Sequence, residues 1–178
     1  MDTMYAEILN GVKVRMSRPK INHIKVTKNI SRYLFDQFND KYIILIEPNL
    51  YISEKDIFFP DLVICHEDII KDDGVYGPPE LVIEILSPST HNNDKKYKFD
   101  KYFEFGVKEY WLIDPDSGYI DVYVDKKLWD TFRYVDNNTY LMFSDEQKQN
   151  VKTKVKSSIF PNLDLELEYV FYKVNINK

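Results

Sequence analysis

Apolar and polar positions follow two different periods along the chain, and each period predicts a type of element. Over residues 6–16 they alternate on both sides of Asn10-Gly11, a dipeptide typical of the tight turn of a β-hairpin. Residues 42–46 form a short apolar run that predicts a buried strand. Between these two segments, residues 22–38 have apolar side chains at helical spacing: Val26, Ile30, Tyr33, Leu34 and Phe38.

Two further apolar runs each contain one acidic residue. Residues 58–65 predict a strand that contains Asp61, directly after a proline. Residues 81–86 predict a strand that contains Glu84. This second run is otherwise apolar on both faces, as expected of a central strand that is covered on each side.

The rest of the pattern alternates between loops, helices and strands. Residues 66–80 are polar and rich in Gly and Pro, which predicts a loop, and residues 160–172 favour no element. The other expected elements are a helix at 93–105 ended by Gly106, strands at 109–115 and 118–124, and an outer hairpin of 129–135 with 139–143. This order predicts an α/β (α+β) fold, with a mixed β-sheet flanked by helices and an N-terminal β-hairpin, in a single domain over residues 1–178.

The composition agrees with a folded cytoplasmic protein. Hydrophobic residues make up 44% of the 178 residues, which is enough for a core. No apolar run approaches the roughly 18 residues that a membrane helix needs, and residues 1–5 do not start a signal-peptide pattern, so we expect no membrane segment. Cys65 is the only cysteine, which excludes an internal disulfide and a multi-cysteine zinc site.

Charge and motifs narrow the class of function. The net charge of −5 disfavours tight non-specific binding of nucleic acid by the surface as a whole, since that binding depends on Lys and Arg neutralising phosphates. The chain lacks a phosphate-binding glycine loop, which argues against nucleotide triphosphatase and dinucleotide-binding folds. A compact basic cluster is a local exception to the acidic balance: Lys95, Lys96, Lys98 and Lys101.

Asp61 and Glu84 are the first candidates for chemistry. An ionised carboxylate within an apolar strand needs a partner or a metal. Each has an ordinary alternative, because Glu84 can pair with a cation or an amide, and Asp61 can cap a turn. Two carboxylates near the ends of adjacent strands repel each other, and a divalent cation stabilises such a pair. Ligands that are all oxygen favour Mg²⁺ or Mn²⁺ over zinc.

Three residues of the second predicted helix share one face, because Asp94, Lys98 and Tyr102 stand four residues apart. Asp94 and Lys98 can form a solvated ion pair, and Tyr102 can be ordinary core packing. Alternatively, Lys98 extends over the strand ends toward the metal. There it would orient the attacking water or offset charge on the phosphate in the transition state.

Residues 59–115 as a whole resemble a known family. The pattern of Pro60-Asp61, a Gly/Pro loop and then PELVIEILSPST over residues 79–90 is similar to the Uma-type "putative restriction endonuclease" family of the PD-(D/E)XK nuclease superfamily. The continuation Asp94, Lys98, Tyr102 and GVKEYWLIDP over residues 106–115 is similar too. Glu7 and His23 match the family more weakly.

The resemblance implies a restriction-endonuclease-like fold and a metal held by Asp61, Glu84 and the backbone carbonyl of Ile85. In the superfamily a lysine lies two residues after the glutamate, where this chain has Leu86. The family supplies a displaced lysine from the next helix, and Lys98 matches it. The weaker site candidates are Glu7, His23, Asp94 and Tyr102.

These observations predict a Mg²⁺-dependent (or Mn²⁺-dependent) endonuclease that hydrolyses phosphodiester bonds in DNA. A homodimer fits a duplex that has two strands to cut. Two alternatives stay open: a non-catalytic interaction module that kept the fold, and a nuclease that acts on RNA or on branched DNA. Ser87 and Ser89 lack the Gly-x-Ser-x-Gly surroundings of a hydrolase nucleophile and are interpreted as turn and capping residues.

Overall fold

A computed structural model describes residues 6–38, 41–87 and 92–176, apart from the side chains of residues 92–95. Within these residues the helices are α1 (Ile21–Phe38), α2 (Asn92–Phe105), α3 (Asn137–Leu141), α4 (Asp145–Gln149) and α5 (Leu167–Val170), with a 3₁₀ turn at Glu67–Ile69. The strands are β1 (Ala6–Leu9), β2 (Val12–Arg15), β3 (Ile43–Ile46), β4 (Leu50–Ser53), β5 (Asp56–Phe58), β6 (Leu62–Cys65), β7 (Ile70–Lys71), β8 (Gly74–Val75), β9 (Leu81–Ile85), β10 (Glu109–Asp114), β11 (Tyr119–Val124), β12 (Lys127–Arg133), β13 (Lys154–Val155) and β14 (Leu165–Glu166).

The strands form two six-stranded sheets and the short pair β13–β14. The first sheet has the order β2-β1-β5-β4-β8-β7, and the second has the order β12-β11-β10-β9-β6-β3. In the second sheet β9 runs parallel to β10 and antiparallel to β6, and α2 is the crossover between β9 and β10. The mixed sheet with flanking helices is therefore confirmed, as is the central place of the Glu84 strand.

The central strand β9 contributes to two cores, one on each face of its sheet. Leu81, Ile83 and Ile85 pack with α1 and the C-terminal segment in the first, called here the α1-side core. Val82 points the other way and packs with Tyr102 of α2 and with residues of the first sheet, in the α2-side core. Because side chains alternate along a strand, Glu84 belongs to the α2 side of the sheet.

The N-terminal hairpin forms as predicted. β1 and β2 pair antiparallel, and Asn10 and Gly11 between them have φ values of 50° and 77°. Two successive residues with positive φ match the right-handed twist of the strands, which explains the Asn-Gly pair. Gly106 also has a positive φ, 109°, and follows the last residue of α2, so its predicted capping position is confirmed.

The predicted strand at 58–65 is wrong as a single element. Phe58 ends β5 in the first sheet, and Leu62 begins β6 in the second. Pro60 lies in the break, because a proline nitrogen has no hydrogen to donate to a sheet. Asp61 therefore precedes its strand and does not lie within it. The loop expected at 66–80 also contains the 3₁₀ turn and the short pair β7–β8.

The expected outer hairpin of 129–135 with 139–143 is also wrong. β12 pairs with β11, and residues 137–141 form α3. The carboxylate of Asp136 accepts hydrogen bonds from the backbone N–H and the hydroxyl of Thr139, which caps the helix and overrides the apolar run that follows. Within the described residues, no helix combines the length and the apolar character needed to cross a membrane.

Candidate active site

Asp61 and Glu84 lie close together where β6 begins and β9 ends. The β6–β9 ladder ends with Leu62 paired to Ile83, so Asp61 and Glu84 are the next residues beyond the last pair. The Oδ2 atom of Asp61 also accepts a hydrogen bond of 2.6 Å from the backbone N–H of Ile85, the residue after Glu84. The structure thus brings the two predicted carboxylates to one place.

Lys98 extends from α2 into this place, as the sequence predicted. Its Nζ atom lies 2.6 Å from Oε1 of Glu84 and 2.7 Å from Oε1 of Glu7. Only 7% of Lys98 is exposed, and Glu7 on β1 is equally buried. The backbone N–H of Phe59 donates a second hydrogen bond, of 2.9 Å, to the same oxygen of Glu7. Lys98 is therefore a buried cation shared by two carboxylates from two different sheets.

His23, a weak candidate by resemblance, contacts the other carboxylate. Its Nε2 atom lies 2.9 Å from Oδ1 of Asp61, and its side chain is buried in the first turns of α1. Burial lowers the pKa of His23, but the hydrogen bond to Asp61 and the nearby negative charges outweigh it, so the net shift is upward. The imidazole therefore donates to Asp61 and fixes its orientation.

Tyr102 combines core packing with a polar contact at the site. Its ring is fully buried against Phe58 and Tyr110, and its hydroxyl donates a hydrogen bond of 2.6 Å to Oε1 of Glu84. Burial and the charge of Glu84 raise the pKa of Tyr102 well above its usual value. The hydroxyl therefore keeps its proton and serves as a donor that positions Glu84.

The charges at the site are unbalanced toward the negative. Burial raises the pKa of Glu84 to about 7, and the charges of Asp61 and Glu7 act in the same direction, while Lys98 opposes them. The ion pair with Lys98 would by itself lower the pKa of Glu84. Because the net shift is upward, burial and the repulsion between carboxylates outweigh this ion pair. Three carboxylates face the ammonium of Lys98 and the imidazole of His23 here, and a divalent cation would complement this set of charges.

The donors present fit a hard cation such as Mg²⁺. They are carboxylate oxygens of Asp61 and Glu84 together with the carbonyl of the peptide that follows, that of Ile85. Each carboxylate oxygen has two lone pairs, so the hydrogen bonds from His23 and Ile85 leave acceptor capacity on Asp61. Among the described residues, no group of three or more His, Cys, Asp or Glu side chains is arranged around a common metal position. Water and backbone would therefore complete the coordination, as is usual for Mg²⁺.

Some residues that were named from the sequence have no described side chain. Ser89 falls outside the described residues, and Asp94 is described only as part of the backbone of α2. The expected helical face is therefore established for Lys98 and Tyr102, and the role of Asp94 stays a prediction.

Glu47 is a site neighbour that the sequence did not indicate. It follows β3 with a φ of 48°, and its backbone N–H donates a hydrogen bond of 3.1 Å to the carbonyl oxygen of Asp61. Its charge contributes to the raised pKa of His23. Glu47 precedes Pro48-Asn49, a sequence typical of a turn, so nothing in the local pattern pointed to chemistry.

Comparisons with known proteins identify the family and the fold of this chain. Residues 2–153 match the model of the Uma2 family, described as "Putative restriction endonuclease". The uncharacterized protein sll1609 of Synechocystis sp. is 29% identical over 151 residues, which cover 80% of this chain and 85% of that protein. A crystal structure from Anabaena variabilis, described as "a putative nuclease belonging to DUF820", has a TM-score of 0.71 at 18% identity, over 93% of this chain and 89% of that one. At that identity the likeness establishes the fold. With the family model spanning most of its length, this chain belongs to the Uma2 family of restriction-endonuclease-like proteins.

Proposed function

We propose that this protein is a Mg²⁺-dependent endonuclease that hydrolyses phosphodiester bonds in DNA. The observation that carries the proposal is the convergence of Asp61 and Glu84 where β6 begins and β9 ends, with the buried ammonium of Lys98 2.6 Å from Glu84. Membership of the Uma2 family supports the same class of reaction. In this proposal residues 1–178 act as one catalytic domain.

Asp61, Glu84 and the carbonyl of Ile85 would hold the metal. When bound there, Mg²⁺ or Mn²⁺ would supply Lewis-acid chemistry, polarising the scissile phosphate and making water more acidic. The protein's own contribution is to hold the two carboxylates in a fixed orientation before the substrate arrives. His23 and the Ile85 amide do so for Asp61, and Tyr102 and Lys98 do so for Glu84.

Lys98 acts as a proton donor in hydrogen bonds and not as a general base. The charges of Glu84 and Glu7 outweigh the effect of burial and raise the pKa of Lys98, so the amine stays protonated at neutral pH. An ammonium has three N–H groups, and Glu7 and Glu84 accept two of them. The third is available to orient the attacking water or to stabilise charge on the phosphoryl oxygens.

Glu7 keeps Lys98 in place. Glu7 is on β1 of the first sheet, whereas Glu84 is on β9 of the second, so Lys98 is held from both sides. A lysine with one partner would have more rotamers available to it. We assign Glu7 as a positioning residue for Lys98, and the same interpretation makes His23 and Tyr102 positioning residues for the carboxylates.

Cleavage of a supercoiled plasmid in the presence of Mg²⁺ or Mn²⁺ tests the proposal. We expect nicked or linear product from the wild-type protein, and none from Asp61→Ala or Glu84→Ala. Asp164→Ala is the matched control, because this exposed aspartate pairs with lysines beside the β13–β14 sheet. Undiminished cleavage by either site variant refutes the mechanism.

Calorimetric titration of Mn²⁺ separates the alternatives. A protein that retains its fold and binds no divalent metal is the non-catalytic module. A protein that binds metal and cuts RNA or branched DNA in preference to duplex DNA keeps the mechanism and changes the substrate. A homodimer would present two such sites to the two strands of a duplex, which sedimentation in solution measures.

A further inference from the structure

Positive charge is concentrated in one segment of this acidic protein. Seven of its 24 Lys and Arg residues, and none of its 29 Asp and Glu residues, lie between positions 11 and 35. Of these seven, Lys25 donates a hydrogen bond to the carbonyl of Lys173. The other six are exposed and are called here the basic segment: Lys13, Arg15, Arg18, Lys20, Lys28 and Arg32.

Among the described side chains, no carboxylate neutralises a cation of the basic segment. Many surface lysines elsewhere form ion pairs: Lys101, Lys108, Lys126, Lys152, Lys154 and Lys156. Across the described ranges, no ion pair involves a residue of the basic segment. Its positive potential therefore extends into solvent, where it can attract a polyanion.

The basic cluster predicted near Lys98 does not provide such a surface. Lys98 is buried between Glu7 and Glu84, and Lys101 pairs with Glu104. The side chain of Lys95 is not among those described. Among the described side chains of this cluster, Lys96 is exposed, whereas the basic segment has six exposed cations on β2, on α1 and on the connection between the two.

This connection runs between two residues of the candidate site. Its first end is β2, where Val14 pairs with Glu7. Its second end is α1, where His23 contacts Asp61. Arg18 lies in the exposed chain between them, and the carbonyl of Lys20 accepts the hydrogen bond from Ile24 that opens α1.

Lys20 precedes His23 by three residues, which is about one helical turn or 5 Å along the axis. Arg18 precedes Lys20 by two residues, so their Cα atoms are at most about 7 Å apart. Lys13 and Arg15 flank Val14 on β2 and project from the opposite face of the hairpin. They extend the positive surface beyond the site. A long duplex requires such an extension, because it continues past the one phosphodiester bond that is cleaved.

We propose that the basic segment binds the sugar–phosphate backbone of duplex DNA beside the scissile phosphate, with Arg18 and Lys20 as the contacts nearest the site. This inference rests on the proposed nuclease function and adds the surface that holds its substrate. Duplex DNA carries one negative charge for about every 1.7 Å of its axis. The carboxylates of the site repel such a polymer, so a flanking positive surface is needed to bring a phosphate to them.

The strength of binding in varied salt tests this surface. Fluorescence anisotropy of a labelled DNA duplex of about 20 base pairs is measured in EDTA, with NaCl between about 50 and 200 mM. For Arg18→Ala/Lys20→Ala we expect affinity to fall on the order of tenfold at the lower salt, and the slope of log K against log [NaCl] to fall by about two. The matched control is Lys127→Ala/Arg133→Ala, which removes the same charge from exposed positions on β12, outside the basic segment. The control is expected to bind as the wild type does.

Each result decides for or against the surface. Equal affinity and slope for the wild type and Arg18→Ala/Lys20→Ala overturn the inference, and so does an equal loss in the control, since net charge alone would then explain binding. Tighter binding of an RNA duplex of the same sequence through Arg18 and Lys20 overturns the assignment to DNA. The nuclease proposal fails separately: a protein that binds through these residues and never cleaves with Mg²⁺ keeps this surface and loses the mechanism.

Discussion

The ammonium of Lys98 lies 2.6 Å from Oε1 of Glu84, and the two residues come from α2 and β9, which follow each other along the chain. The same oxygen of Glu84 accepts the hydroxyl of Tyr102, one helical turn further along α2. Helix α2 therefore contributes two adjacent donors to one carboxylate. These two contacts fix the position of the Glu84 carboxylate relative to α2.

Removing Lys98 is expected to cost both stability and activity. In Lys98→Met, Glu7 and Glu84 lose their shared cation, and breaking a buried ion pair in this way costs about 3–5 kcal/mol. Urea unfolding measures this loss, and plasmid cleavage should fall on the order of 100-fold or more. The double variant Glu7→Gln/Lys98→Met removes one of the two stranded charges and should regain part of the stability. A double variant no more stable than Lys98→Met would contradict the shared ion pair.

Removing His23 is expected to weaken metal binding and leave the fold in place. His23→Ala frees Oδ1 of Asp61 from its hydrogen bond of 2.9 Å. Loss of a group that orients a metal ligand lowers metal affinity by about 10–100-fold. Calorimetric titration with Mn²⁺ measures this. His66→Ala is the control, because that half-exposed histidine pairs with Glu80 instead. An unchanged Mn²⁺ affinity in His23→Ala would contradict the role of His23 in positioning Asp61.

Tyr102→Phe separates the polar role of the tyrosine from its packing role. The ring contacts with Phe58 and Tyr110 are retained, while Glu84 loses one hydrogen bond. We expect a loss of about 1.5–3 kcal/mol in the free energy of unfolding, typical of a hydrogen bond to a charged group. Cleavage should slow, with substrate affinity little changed. Wild-type rates in Tyr102→Phe would show that the ring matters only as core.

Asp56 is expected to stabilise the protein in a pH-dependent way. Burial opposes its ionisation, but hydrogen bonds from the Asn10 amide and the hydroxyls of Tyr97 and Ser53 hold the pKa of Asp56 below its usual value. These bonds join the turn of the N-terminal hairpin to α2. The hairpin contains Glu7, and α2 contains Lys98. Asp56→Ala should cost about 1–3 kcal/mol at neutral pH.

The sign of the pH effect follows from the lowered pKa. The contribution of Asp56 is complete above its unfolded pKa of about 4, and it is lost as the pH falls through the lower folded value. The gap between wild type and Asp56→Ala in urea unfolding should therefore be full at pH 7 and shrink below about pH 4. A gap that stays constant down to strongly acidic pH would contradict the hydrogen-bonded carboxylate.

The carboxylates were predictable from the residue pattern itself, whereas their neighbours Glu7 and His23 were indicated by the family resemblance alone. Glu84 stood out because it interrupts a strand that is apolar on both faces, and Asp61 because Pro60 precedes an apolar run. The alternation of side chains predicts faces within a strand, but pairing between strands decides that Asp61 and Glu84 come close together. The ion pair of Lys98 with Glu7 spans 91 positions, and no local spacing indicates a contact at that distance.

The errors in the fold have local causes. The apolar pattern continues across Pro60, yet Phe58 and Leu62 belong to different sheets, and sequence periodicity does not distinguish one sheet from another. Residues 139–143 look like a strand by composition, but the hydrogen bonds from Thr139 to Asp136 start a helix before that run. Pro60 in the first case and Asp136 in the second therefore outweighed the apolar pattern of the neighbouring residues.

The central claim is that Asp61 and Glu84 bind one divalent cation. Crystals soaked in Mn²⁺ and measured near the manganese absorption edge test it most directly. We expect an anomalous peak within about 2.0–2.4 Å of an oxygen of each carboxylate and of the Ile85 carbonyl. A peak bound to one of the two carboxylates alone, or no peak at a Mn²⁺ concentration that supports cleavage, would contradict the claim.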